Sequence, residues 1–189
     1  PVTRYLAGRL LESRDCLDRL VRLPRAGAPH VEAVYETARE MLAAAPEDRM
    51  SKVGSSATLR GELGLALAYC NRRSGGALLT AAADLLGSTS VNVIGESFGP
   101  GFYNAEVNPA ARTLSLGGIC EDGATGILAG ISTFGHHIGV VASYGAFLAP
   151  LAHIGARLHA IGSQARQAVA GDPFKPIVVV CAHAGLMTG

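Results

Sequence analysis

Apolar residues recur at helical spacing near the start of the chain. Leu6, Leu10, Leu17 and Val21, with Arg and Asp between them, predict an amphipathic helix over residues 3–22. Pro24 and the Gly27-Ala28-Pro29 cluster end it, and residues 30–44 predict a second helix. Residues 45–54 form a polar connection, after which Ser55 or Ser56 can cap a third helix running to Asn71. Leu59, Leu63, Leu67 and Cys70 would share one face of that helix. From there the pattern becomes α/β. A short strand over residues 77–82 precedes a Gly/Ser/Asn-rich loop through residue 110. Residues 113–116 read as strand, 122–134 as helix, 137–143 as strand and 147–169 as a long helix, with Pro150 tolerated only near its first turn. The unbroken run Ile177-Val178-Val179-Val180-Cys181 reads as a strand buried on both faces.

This alternation predicts an α/β fold: a doubly wound, mainly parallel sheet flanked by helices and preceded by a helical linker. Residues 1–54 are expected to be the interdomain linker and 55–189 the α/β domain. Pro1 and Gly189 read as cut ends, with the domain truncated at its C-terminus. In such sheets the loops at the strand carboxyl ends host ligands. Asp84, Ser143–Tyr144 and His183 all fall at such ends.

Charge sharpens the division. Of 31 Asp, Glu, Lys and Arg residues, 21 lie in residues 1–73 and only 10 in the remaining 116. The net charge of +1, with no basic tract, gives no reason to expect a nucleic-acid or anionic-membrane partner. Cys16, Cys70, Cys120 and Cys181 are far apart and match neither C-x-x-C nor a metal-ligand spacing. With no signal peptide, they read as reduced thiols of a cytoplasmic protein. Residues 123–156 lack Asp, Glu, Lys and Arg, but three histidines, seven glycines, Pro150 and a change of period set them apart from a membrane span.

Within this charge-poor half Glu121 stands out, in the run Gly117-Gly118-Ile119-Cys120-Glu121-Asp122-Gly123. Read alone, it could be a helix N-terminal carboxylate favoured by the macrodipole. Ala83-Asp84-Leu85 lies upstream, and Ser143-Tyr144-x-x-Phe147 and His183-x-Gly185 lie downstream. The stretch Gly118–Gly135, with these motifs in this order, resembles the pyrimidine-binding domain of transketolases and related thiamine-diphosphate enzymes. The resemblance covers roughly residues 55–189.

The resemblance implies that Glu121 is catalytic, hydrogen-bonding N1′ of the cofactor's aminopyrimidine. Sharing a proton there favours the imino tautomer, whose amine deprotonates the thiazolium C2. Such acid–base assistance typically contributes about 10²–10⁴-fold in rate, and the protein's task is placement and electrostatics. Tyr144 and Phe147 match the aromatic walls of the pyrimidine slot, although core packing would also explain them. Asp84 matches an aspartate beside the cofactor at the subunit interface, or else caps a loop. Ser88, His183 and, within one position, Arg60 match residues that hold the phosphate of the sugar substrate. Their plainer readings are a turn residue, a strand-end imidazole and a solvated helix charge. His136 and His137 match no family ligand and read as surface or packing residues.

The chain departs from the family in several places. An aromatic usual near Pro150 is missing, the register slips by one before Arg157, and Cys120 and Ala184 replace the family's usual residues. No Gly-Asp-Gly motif occurs to hold a metal, and Gly171-Asp172-Pro173 is a turn breaker. The resemblance therefore implies that thiamine diphosphate and its magnesium or calcium ion are held by a diphosphate-binding domain absent from this chain. That domain would belong to a partner subunit of a homodimer acting on sugar phosphates. An interior-like, charge-poor surface agrees with an obligate interface. Other thiamine-diphosphate enzymes, namely a 2-oxo-acid dehydrogenase component or deoxyxylulose-phosphate synthase, and a non-catalytic assembly domain are the alternatives.

Overall fold

The computed structural model describes residues 2–21, 29–44, 46, 52–149, 151–157 and 175–183. The side chains of Leu17 and Val21, together with Pro24, Pro150, residues 158–169, Gly171–Pro173, Ala184 and Gly185, lie outside what is described.

Helix α1 spans Val2–Val21 and α2 spans Val31–Ala43. The described half of the apolar stripe on α1 faces outward, with Leu6 and Leu10 exposed. Helix α2 instead joins the core, where Val31 and Val34 pack with Cys70 and Ala77. Polar ties reinforce the contact: His30 N–H donates to Ser74 O at 2.9 Å, and Glu40 and Glu32 pair with Arg73 and Lys175.

Helix α3 spans Leu59–Arg73 and is capped by Thr58, whose Oγ1 accepts from Gly61 N–H at 3.2 Å. Neither Ser55 nor Ser56 caps it; Ser55 donates its hydroxyl to Lys52 O at 2.7 Å in the preceding turn. The buried face of α3 follows the expected stripe only in part, at Cys70 and at Leu67, which packs against the core. Gly64, Ala68, Cys70 and Asn71 are buried, whereas Leu59 and Leu63 are exposed. Gly64 decides this orientation. A Cβ there would lie 2.3 Å from Ser90 O, so only glycine lets the helix sit so close to the loop after the first strand.

The sheet comprises β1 (Leu78–Ala82), β2 (Ile138–Ser143) and β3 (Val178–Cys181), in that spatial order and all parallel. Helix α4, Glu121–Phe134, precedes β2 and ends at Gly135, whose φ of 93° suits a residue without Cβ. Successive strand residues face opposite sides. Leu78, Ala82, Val140 and Ala142 meet α2 and α3, while Ala81 and Val141 meet Ala124 and Leu128 of α4 and Leu151. Helices thus cover both faces of a parallel sheet, as the alternation predicts. The strand expected at 113–116 shrinks to one parallel bridge, Thr113 with Thr80, on the free edge of β1. Nor is β3 buried on both faces. Val180 is buried, but Val179 is 46% exposed, because α4 packs over β1 and β2 and stops short of β3. Among the described residues, no helix is long and apolar enough to cross a membrane.

The connection leaving β1 runs outward to Thr113, whereas the connection leaving β2 runs the opposite way to β3. Adjacent strands whose outgoing loops part in this way define a topological switch point, where open α/β sheets leave a crevice.

Candidate functional site

The carboxyl ends of β1 and β2, and the N-terminus of α4 that precedes β2, therefore frame the place to look. Glu121 is the first residue of α4. The capping duty at this terminus falls to Cys120, whose Sγ accepts from Gly123 N–H at 3.3 Å. Glu121 is thus released from capping, and its Oε1 accepts a hydrogen bond from Ser143 Oγ at 3.2 Å. Ser143 ends β2 and is 1% exposed, while Glu121 is half-buried. Its neighbour Asp122 is exposed, with an oxygen 3.9 Å from His153 Nε2, a pair that is ionic only when the imidazole is protonated.

Beyond Ser143 the chain turns through Tyr144 into a 3-10 turn, Gly145–Phe147. Tyr144 stacks on His183, with ring centroids 5.5 Å apart and planes at 26°. His183 Nε2 accepts from Gly145 N–H at 2.9 Å, which requires the tautomer protonated at Nδ1. Gly145 is fitted to this contact, since a Cβ would lie 3.3 Å from the imidazole. Arg60, near the start of α3, reaches across the fold to donate to Ala182 O at 3.4 Å, beside His183.

The Ser143–Glu121 bond and, next to it in sequence, the Tyr144–His183 stack therefore lie along the sheet's carboxyl edge, where Arg60 reaches the carbonyl just before His183. The other expected site residues lie apart from these contacts. Phe147 is 51% exposed and makes no ring contact among the described residues. Asp84 is exposed beyond β1 and has no hydrogen bond or ion pair among the described residues. Ser88 is exposed and donates to Leu85 O at 3.3 Å, as a turn serine does. Two functional details escape a sequence reading: the Ser143 hydroxyl bound to Glu121, and the Cys120 cap. The first had a signal in the lone hydroxyl closing an otherwise apolar strand.

Chemically, the edge offers a half-buried carboxyl group with a fixed donor on one oxygen. Among the described residues the other oxygen, Oε2, has no hydrogen-bond partner. A planar nitrogen heterocycle presenting a ring nitrogen to Oε2 fits this donor set. The aromatic wall fits less completely, because one face of Tyr144 is occupied by His183 and Phe147 alone is presented to solvent. No cluster of His, Cys, Asp and Glu that could hold a metal ion occurs among the described residues.

No family model, curated protein or solved structure matches this chain.

Proposed function

We propose that the chain supplies the aminopyrimidine-binding half of a thiamine-diphosphate site in a transketolase-like transferase. The reading rests on one observation. Glu121, at the sheet's switch point, turns away from capping its own helix and toward the carboxyl end of β2, where Ser143 holds it. Glu121 would bind the ring nitrogen of the pyrimidine and exchange a proton with it, Phe147 would offer a wall, and Asp84 would stand at the rim. The bound cofactor supplies the carbanion chemistry that moves a two-carbon ketol unit between sugar phosphates.

The diphosphate and its magnesium or calcium ion would be held by a second domain, contributed by a partner subunit in a cytoplasmic homodimer. Exposed apolar residues near Glu121 support such a covering surface: Ile119 is 71% exposed and Ile127 50%. Apolar side chains left exposed beside a site suit burial against a partner surface.

A second reading, another thiamine-diphosphate enzyme that takes an unphosphorylated substrate, draws support from His183 and Ser88. The Nε2 of the first accepts from Gly145 N–H, and the hydroxyl of the second is donated to Leu85 O, so neither that ring nitrogen nor that hydroxyl is presented as a phosphate donor.

The test is Glu121→Gln in the full-length protein. Turnover should fall at least about a hundredfold and cofactor affinity should weaken, with the oligomer and its unfolding midpoint unchanged. Full activity in this variant refutes the assignment. An intact oligomer with no thiamine-dependent turnover of any phosphorylated or unphosphorylated keto substrate to lose refutes the enzyme reading and favours an assembly domain.

A further inference from the structure

Ser143 invites a question of its own. Buried hydroxyls are hydrogen-bonded, and one left unpaired in the interior costs about 1–3 kcal/mol. This one closes β2, where every other residue is apolar or glycine, and it is 1% exposed. A hydroxyl carries a single proton to donate, and Ser143 commits it to Glu121 Oε1 at 3.2 Å. The backbone around it is fixed as well: Ser143 O accepts from Ala182 N–H at 3.0 Å, and Ser143 pairs with Cys181 across β2 and β3. At the other end, Thr125 donates to Glu121 O at 2.8 Å, and Cys120 takes up the amide that the glutamate side chain could otherwise cap.

We infer that Ser143 is a positioning residue that fixes the carboxyl group of Glu121 and determines which of its oxygens carries the proton. An oxygen that receives the serine's O–H acts as acceptor, so when the carboxyl group is neutral its proton resides on Oε2. Oε2 is also the oxygen that has no partner among the described residues. In that form the acid proton would lie on the oxygen without a partner, from which it could be passed to a ligand's ring nitrogen and returned with no bond made or broken besides O–H and N–H. Without the hydroxyl, either oxygen can hold the proton and the side chain is free to return to its own helix terminus. The catalytic consequence rests on the cofactor reading above, but the contact itself does not.

The experiment compares Ser143→Ala and Ser143→Thr in this chain and in the full-length protein. In the chain labelled with ¹³C-glutamate, the Glu121 carboxyl resonance at neutral pH should move in the alanine variant and return in the threonine variant. The urea midpoint should show that both remain folded. A resonance unmoved by alanine in a folded protein overturns the inference. In the full-length protein the alanine variant should lose about ten- to a hundredfold in kcat. Its KM for the keto substrate should be little changed, its pH–rate profile should be displaced, and threonine should restore both. A moved resonance without any thiamine-dependent activity sustains the Ser143–Glu121 contact and refutes the cofactor reading instead.

Discussion

Asn71 should be the most consequential polar side chain for stability. It lies fully buried in the last turns of α3, and its side-chain amide acts as a substitute for a neighbouring strand. Leu78, the first residue of β1, turns its peptide groups away from β2. Asn71 Oδ1 accepts from Leu78 N–H at 2.7 Å, and Nδ2 donates to Leu78 O at 3.2 Å. The same Nδ2 donates to Ile94 O at 2.9 Å, tying down the 3-10 turn Asn92–Gly95. One amide thus secures helix, strand and loop. Asn71→Ala deletes three bonds worth about 1 kcal/mol each and leaves backbone groups of Leu78 and Ile94 buried without partners, so the total loss is about 3–5 kcal/mol.

Urea unfolding followed by circular dichroism measures this directly. With a slope of about 2 kcal/mol per molar, the midpoint should fall by roughly 1.5–2.5 M. Asn71→Asp supplies the control. It keeps the acceptor for Leu78 N–H but puts a carboxylate oxygen in place of Nδ2, facing two carbonyls, so it should cost at least as much as alanine. Amide exchange localises the effect, with the Leu78 N–H losing protection before the centre of β2 does. A loss below about 0.5 kcal/mol for Asn71→Ala, within the ordinary range of surface substitutions, refutes the account of β1's edge.

Other substitutions probe separate parts of the argument. In Gly139→Ala, the new Cβ would meet Leu128 O at 2.5 Å, so α4 must lift from β2. The cost is about 1–3 kcal/mol, and an unchanged thermal midpoint refutes the close packing. Thr80 Oγ1 is buried with no hydrogen-bond partner among the described residues, so Thr80→Val should stabilise by about 1 kcal/mol in urea; a loss of that size reveals a hidden partner. His137, next to β2 at the edge opposite the site, titrates near 4 instead of 6.5. Burial is the main cause, followed by the charges of Arg112 and His136. The unfolded chain therefore binds the proton first. Stability is complete above pH 6.5 and falls as the pH drops toward 4, by about 1–2 kcal/mol once solvent access to the ring is allowed for. His137→Phe should flatten that part of the pH profile, and an unaltered slope contradicts it.

How legible the molecule is in its sequence depends on the range over which each feature is decided. The helices and strands follow from local periodicity, and β2 and α4 emerge within a residue of their expected limits. Features decided by close approach are hidden. The stripe Leu59, Leu63, Leu67 and Cys70 reads as the core face of α3, and Cys70 and Leu67 do meet the core, yet Gly64 brings an adjoining surface onto the loop and leaves Leu59 and Leu63 exposed, because a missing Cβ allows closer contact than a leucine does. The strand expected at 113–116 is reduced to one bridge, at Thr80, and the next outward-facing residue of β1's free edge, Leu78, is paired instead with the Asn71 amide, a partner 7 residues upstream that no period-2 pattern announces.

The same distinction governs the site. Residue types and strand-end positions identify Glu121, Tyr144 and His183 as candidates, because a parallel sheet carries all its carboxyl ends to one edge whatever the intervening sequence. What those side chains do there depends on pairings between them that cross 22 positions in one case and 38 in another. The two pairings differ in consequence. Ser143 donates to Glu121 and leaves the other carboxyl oxygen without a partner among the described residues, whereas His183 accepts from Gly145 and lies against Tyr144. On the proposed reading, one arrangement would prepare a group for a ligand and the other would occupy the surface that the ligand uses. If a flat heterocycle binds at this edge, the Tyr144–His183 stack must open while the Ser143–Glu121 bond persists. Ligand titration should therefore perturb the Gly145 amide strongly, with the Glu121 contact to Ser143 retained throughout. A Gly145 resonance that stays fixed while ligand saturates the carboxyl group would place the binding face elsewhere on the sheet.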